Sequence, residues 1–124
     1  MSTHRPRNAL VLAVCLAVLA VTGASAQGGV PARVTKTVRA ISTHWSPTTV
    51  RIAPSDVIKW RAVSGSHTVS AYGGNWAFNR QLSTGDVEDR TFRRAGTFRF
   101  RCQFHSTLTG GRCTGMCGKV VVRS

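Results

Sequence analysis

Thr97-Phe98-Arg99-Phe100-Arg101-Cys102 alternates large apolar and polar side chains without a break. Phe98, Phe100 and Cys102 fall on one face and Thr97, Arg99 and Arg101 on the other, the two-residue period of a half-buried strand. The core-facing row therefore carries Cys102 inward at the strand's end. Ala95-Gly96 marks a turn before it, and Lys119-Val120-Val121-Val122 reads as a closing strand after it.

Working back from this stretch, the same texture repeats. Val34 to Ile41 reads as a first strand. Ser46-Pro47-Thr48 interrupts, and Thr49-Val50-Arg51-Ile52 resumes extended chain. Ala53-Pro54-Ser55-Asp56 is a turn before the β-prone Val57-Ile58-Lys59-Trp60. Ser64-Gly65-Ser66 breaks that run, and His67-Thr68-Val69-Ser70 starts another. Residues 71–86 carry Tyr72, Gly73, Gly74, Asn75, Trp76 and Gly85 and read as irregular, with room for a short helical turn. Val87 to Arg93 alternates again. About seven short strands in a chain of this size predict an all-β, two-sheet antiparallel sandwich with Greek-key connections. Trp60, Phe98 and Phe100 are expected in its core, with Tyr72 and Trp76 over one end.

The N-terminal stretch has a different character. Arg5 and Arg7 precede an apolar run of 13 residues, Ala9 to Val21, and Ala24-Ser25-Ala26 follows as a small-residue cleavage pattern. Residues 1–26 thus read as an export signal and 27–124 as one domain, placed in the periplasm, at the cell surface or secreted. The apolar run is shorter than the roughly 20 residues a membrane span needs.

Residues 27–124 hold 15 Lys and Arg against four acids, a net charge of +11. Such an excess favours acidic company: an acidic protein, an anionic membrane surface or a cell-wall polymer. Nucleic acid is not expected as a partner of an exported chain. The four acids are Asp56, Asp86, Glu88 and Asp89, three of them in one solvated segment. They form no acid/base pair, and no nucleophile motif accompanies them, so an enzyme is not expected.

Three cysteines remain after the signal: Cys102, Cys113 and Cys117. An odd number in an oxidising compartment leaves one thiol to explain, as a reactive group, a metal ligand or a cross-link. Cys102, His105, Cys113, Met116 and Cys117 fall within one short stretch between two strands. Thiolate and imidazole together favour copper or zinc, and the thioether leans toward copper. A plane of two imidazoles and a thiolate with a long, weak Met contact is the electron-transfer copper arrangement. The second imidazole is sought among His44 and His67. His67 opens a β run after a turn, where a ligand would reach one end of a sandwich. His44, beside Trp45 near the end of the first strand, reads as structural or surface.

At this point the chain resembles the cupredoxins, the plastocyanin and azurin type of blue copper protein. Ser46 to Ile52 and Asp56 to Trp60 are similar to two early strands of that family. His67-Thr68-Val69 resembles the segment with its first His ligand. Gly96 to His105 resembles the strand and loop with its Cys and second His. Met116-Cys117-Gly118-Lys119-Val120 resembles the Met-x-Gly-x-Val that ends the ligand loop. The resemblance implies a single copper ion, Cu(I)/Cu(II), held by His67, Cys102, His105 and Met116. It implies one-electron transfer through the exposed edge of His105, with Leu108 nearby in the docking surface, and the charge of +11 then favours an acidic redox protein as the partner. Thr68 is the candidate for a contact that supports the ligands. The chain departs from the pattern in the ten residues, Ser106 to Gly115, between His105 and Met116. Cys113 and Cys117 are candidates for a disulfide pinning this enlarged loop, which requires Cα atoms within about 7 Å. Two other readings use the same residues. Copper storage or delivery needs no change of ligands. A closed zinc staple would take Cys102, His105, Cys113 and Cys117 and carry no redox role.

Overall fold

The computed structural model describes Gly23, Ala24 and residues 28–124. The chain divides into a leading unit, Met1–Val30, and a body, Pro31–Ser124. Most of the expected signal, 1–26, lies outside the described residues.

The body holds nine strands: β1 (Thr35–Ile41), β2 (His44–Ser46), β3 (Thr49–Ile52), β4 (Val57–Ala62), β5 (His67–Tyr72), β6 (Asn79–Leu82), β7 (Val87–Thr91), β8 (Gly96–Thr109) and β9 (Arg112–Val122). They form two sheets, ordered β2-β1-β4-β7 and β3-β9-β8-β5-β6. The expected all-β sandwich is present, but its sheets are mixed rather than purely antiparallel. β1 runs parallel to β4, and β3 parallel to β9. The cause is the path of the chain. It leaves the first sheet after β2, crosses at Ser46–Pro47 to make β3 in the second, and returns to lay β4 beside β1 in the same direction.

The helical turn expected in 71–86 is replaced by β6, and there is no helix among the described residues. β6 hydrogen-bonds to β5, with Thr68 opposite Gln81 and Ser70 opposite Asn79. Pairing with a neighbour supplies order that this polar segment does not encode locally.

Inward rows of both sheets interdigitate as the alternation predicts. Val38, Ala40, Ile58, Trp60 and Ala62 from one sheet meet Val50, Ile52, Val69, Phe98, Phe100, Val120 and Val122 from the other. Trp60 lies at the centre, edge-on to Phe100 at 5.4 Å and near Phe78 at 5.5 Å. Its buried indole N–H has no acceptor among the described residues, costing about 1–3 kcal/mol. Burying about 200 Å² of ring at about 25 cal/mol per Å² gives about 5 kcal/mol, so the apolar gain wins.

Candidate metal centre

The centre is built on a fault in the β8–β9 hairpin. From Gly96↔Val122 to Arg101↔Cys117 the two strands pair regularly, and pairing resumes at Ser106↔Gly115. Between these points four residues of β8, Cys102 to His105, oppose a single residue of β9, Met116. The bulge lifts both Cys102 and His105 out of the ladder. The Ser106 hydroxyl donates to the Cys102 carbonyl, and Arg101 Nη1 donates to Ser106 Oγ at 3.2 Å, closing the bulge from outside.

Beyond the bulge, Ser106–Gly115 is not the loop that the sequence suggested. The two strands continue as a ladder to Thr109↔Arg112 and turn through Gly110–Gly111. Both glycines have positive φ, +56° and +75°, the backbone that a two-residue hairpin turn demands.

β5 supplies the third member. His67 is fully buried and its Nε2 lies 2.6 Å from the Ser64 carbonyl. A carbonyl can only accept, so Nε2 carries a hydrogen, and in the neutral ring that leaves Nδ1 as the lone-pair atom. That Nδ1 is 3.9 Å from Cys102 Sγ, and His105 Nδ1 is 3.3 Å from the same sulfur. The donor atoms of His67, Cys102 and His105 all lie within 4.8 Å of one another. Metal bonds of about 2.0–2.3 Å at about 110–120° separate sulfur from nitrogen by about 3.5–3.8 Å, so the spacing fits one ion shared by all three. Two imidazoles and a thiol suit copper or zinc and not a hard, oxygen-seeking cation.

Thr68 braces this set twice. Its backbone N–H donates to Cys102 Sγ at 3.4 Å, and its Oγ1 accepts the Gln103 N–H at 2.8 Å. Ser70 Oγ lies 3.0 Å from Thr68 Oγ1 and 2.9 Å from Asn79 Oδ1, extending the network to β6.

Met116 is buried, at 1% exposure, opposite the bulge. It sits inside a sharp bend of β9. Cys113 and Cys117 are joined by a disulfide with Cα atoms 6.1 Å apart, whereas four residues of extended strand span about 13 Å. The bend falls at Gly115, φ +94°. A Cβ there would stand 2.5 Å from the His105 carbonyl oxygen and 3.2 Å from Ser106 Cα. The disulfide also removes Cys113 and Cys117 from the zinc staple considered above. Cys102 is the free thiol among the described residues.

Trp45 is the contributor that sequence reasoning passed over. It packs edge-on to Phe100 at 5.3 Å, lies 6.3 Å from the His67 ring, and donates its Nε1–H to the Met116 carbonyl at 3.1 Å. A three-residue strand offers no local signal for that role. His44, next to it, is exposed and away from the cluster, as its setting suggested. His67 and Cys102 are fully buried, whereas His105 is half-buried with exposed Phe104 beside it and exposed Leu108 three residues on.

No protein-family model and no curated protein matches this chain. Solved structures do resemble it. A purple cupredoxin from Nitrosopumilus maritimus is 21% identical, over 70% of this chain and 98% of that one, with a TM-score of 0.55. A reduced amicyanin mutant is 20% identical, over 77% and 87% of the two chains, with a TM-score of 0.58. A Cu-containing nitrite reductase from Thermus scotoductus is 19% identical at a TM-score of 0.58. The alignment there spans 76% of this chain and 23% of the reductase.

Proposed function

We propose, for a chain with the cupredoxin fold, that His67, Cys102 and His105 hold one copper ion and that the protein carries single electrons outside the cytoplasm. The observation that carries this reading is the convergence of Cys102 Sγ with two imidazole Nδ1 atoms, one of them fixed as a lone-pair donor by the Ser64 carbonyl.

A bound copper ion would supply one-electron exchange between Cu(I) and Cu(II). The chain's own residues do the rest. Full burial of His67 and Cys102 keeps water from the sulfur. The Thr68 N–H points a dipole at Cys102 Sγ and so bears on the electron density the sulfur offers. The Thr68–Gln103 hydrogen bond ties β5 to the bulge, holding the three donors at fixed spacing whatever the charge between them. Met116 is the candidate for a fourth, weak contact, positioned by the Gly115 bend and the Cys113–Cys117 bridge. Half-buried His105, flanked by Phe104 and Leu108, offers the route to a partner. The charge of +11 over residues 27–124 favours an acidic one.

The test is an absorption spectrum of the protein with one equivalent of Cu(II), beside a Cys102→Ala variant. The expected result is an intense visible sulfur-to-copper band, absent from the variant, that bleaches and returns through reversible reduction without metal loss. Tight zinc uptake with no such band would discard the redox reading. A band that fades through loss of metal on reduction would favour copper delivery.

A further inference from the structure

The candidate metal centre lies at one end of the sandwich, and a chemically different cleft lies at the other. β8 runs from Gly96 toward Cys102, so Phe98 lies four residues, about 13 Å, from the ligand end. A cavity of about 560 Å³ opens there, between the end of β7, the start of β8 and the segment joining β5 to β6. Trp76, Phe92 and Phe98 line it together with Arg90, Arg93 and Arg94.

The aromatic part is preformed. Trp76, Phe92 and Phe98 pack in a triangle with ring centroids 5.0–6.1 Å apart. Trp76 Nε1 donates to the Arg99 carbonyl at 2.9 Å, and Asn75 Nδ2 donates to the Thr97 carbonyl at 2.8 Å, pinning this segment to β8. Phe92 and Phe98 are nearly covered, at 4% and 7% exposure, while Trp76 is half-buried and reachable.

The rim is cationic and unneutralised. Arg90 Nη1 donates to the Ala77 carbonyl at 3.4 Å, and its guanidinium lies 5.8 Å from the Phe78 ring centroid. Arg93 and Arg94 stand exposed in the turn before β8. The one ion pair among the described residues is Arg80–Glu88 at 3.8 Å, so none of the three rim arginines has a carboxylate partner. Three like charges within five residues repel one another, and a bound anion would relieve that repulsion.

We propose that this cleft binds a small aromatic carboxylate, its ring against the reachable face of Trp76, which Phe92 and Phe98 back, and its carboxylate on Arg90, Arg93 and Arg94. The planar guanidinium fork matches a carboxylate, aromatic walls favour offset or edge-on contact with a ring, and the volume lies in the small-ligand range of about 300–1,000 Å³.

Naphthalene-2-carboxylate titrated into the full chain tests this, followed by the Trp76 indole N–H resonance, assigned with Trp76→Phe. Trp45 and Trp60 are 2% and 0% exposed, so Trp76 is the indole a ligand can reach. The expected result is a saturable shift, with affinity about tenfold weaker or worse for the neutral carboxamide and for Arg93→Gln/Arg94→Gln. Arg112→Gln, exposed at the tip of the β8–β9 hairpin and outside the cleft, should leave affinity unchanged. Equal affinity for carboxamide and carboxylate, or no loss in the double variant, would overturn the proposal. So would binding of polyglutamate alone with an unmoved Trp76 signal, which would make the arginines a diffuse basic surface.

Discussion

Gly115 shows how closely the centre is packed. Its φ of +94° belongs to glycine, and a Cβ would meet the His105 carbonyl oxygen at 2.5 Å, backbone that cannot swing aside. Gly115→Ala should cost about 2–5 kcal/mol, the sum of a left-handed backbone penalty and overpacking. Gly74 is the control, with φ +82° and nothing within 4 Å of an added Cβ. Gly74→Ala should show the backbone penalty alone, about 1–2 kcal/mol. Denaturant midpoints of the two variants separate the terms, and equal losses would mean that the close approach yields without cost. His67 works through a similarly local device, since the Ser64 carbonyl orients its ring before any ligand arrives.

Among the elements, the β8–β9 hairpin performs two tasks. Its regular half, Gly96 to Arg101 against Cys117 to Val122, is core ladder, and its outer half, Ser106 to Thr109 against Arg112 to Gly115, is an extension beyond the bulge. The candidate ligands sit at the junction, where backbone leaves the ladder while both sides hold it. Asp56 performs a comparable joining task elsewhere. Its Oδ1 accepts the Val34 N–H at 2.9 Å before β1, and its Oδ2 accepts the Ala53 N–H at 3.0 Å after β3. These two bonds hold the carboxyl below its ordinary value of 3.8. A lowered folded-state value means that the contribution is complete above the ordinary value and is lost as pH falls through the lowered one. Asp56→Asn should therefore melt lower than the parent at neutral pH, and the gap should close as pH falls below about 4. A gap that stays constant down to acid pH would show that the charge on Asp56 adds nothing.

At the scale of the molecule, the proposed electron carriage makes the net charge testable. Most of the cations have no acid to pair with, since Arg80–Glu88 is the one ion pair among the described residues. Long-range attraction to an acidic redox protein should therefore be strong and easily screened. Electron transfer to such a partner is expected to slow by about tenfold or more between low and physiological salt, as steered encounters do. Stopped-flow rates across an ionic-strength series check this, and a flat series would remove steering. The sandwich keeps half-buried His105 apart from the arginine-rimmed cleft, because β8 spans the distance between them.

Much of this was legible in the sequence because it is local. Alternation in Thr97 to Cys102 reports a strand with Cys102 inward, and a turn before His67 reports a residue at a loop end. Period and turn chemistry act between near neighbours, so one sequence suffices to read them. The tertiary structure alone decided what depends on partners distant in the chain. Parallel pairing of β1 with β4 follows from a crossover between sheets. The strand status of Asn79–Leu82 comes from β5, and of Ser106–Gly115 from antiparallel pairing across the Gly110–Gly111 turn, whose two glycines were a readable sign. Trp45 reaches Met116 across 71 residues, and Thr68 reaches Cys102 across 34. Such contacts form when the fold closes loops of that length, and no short window of sequence contains both ends.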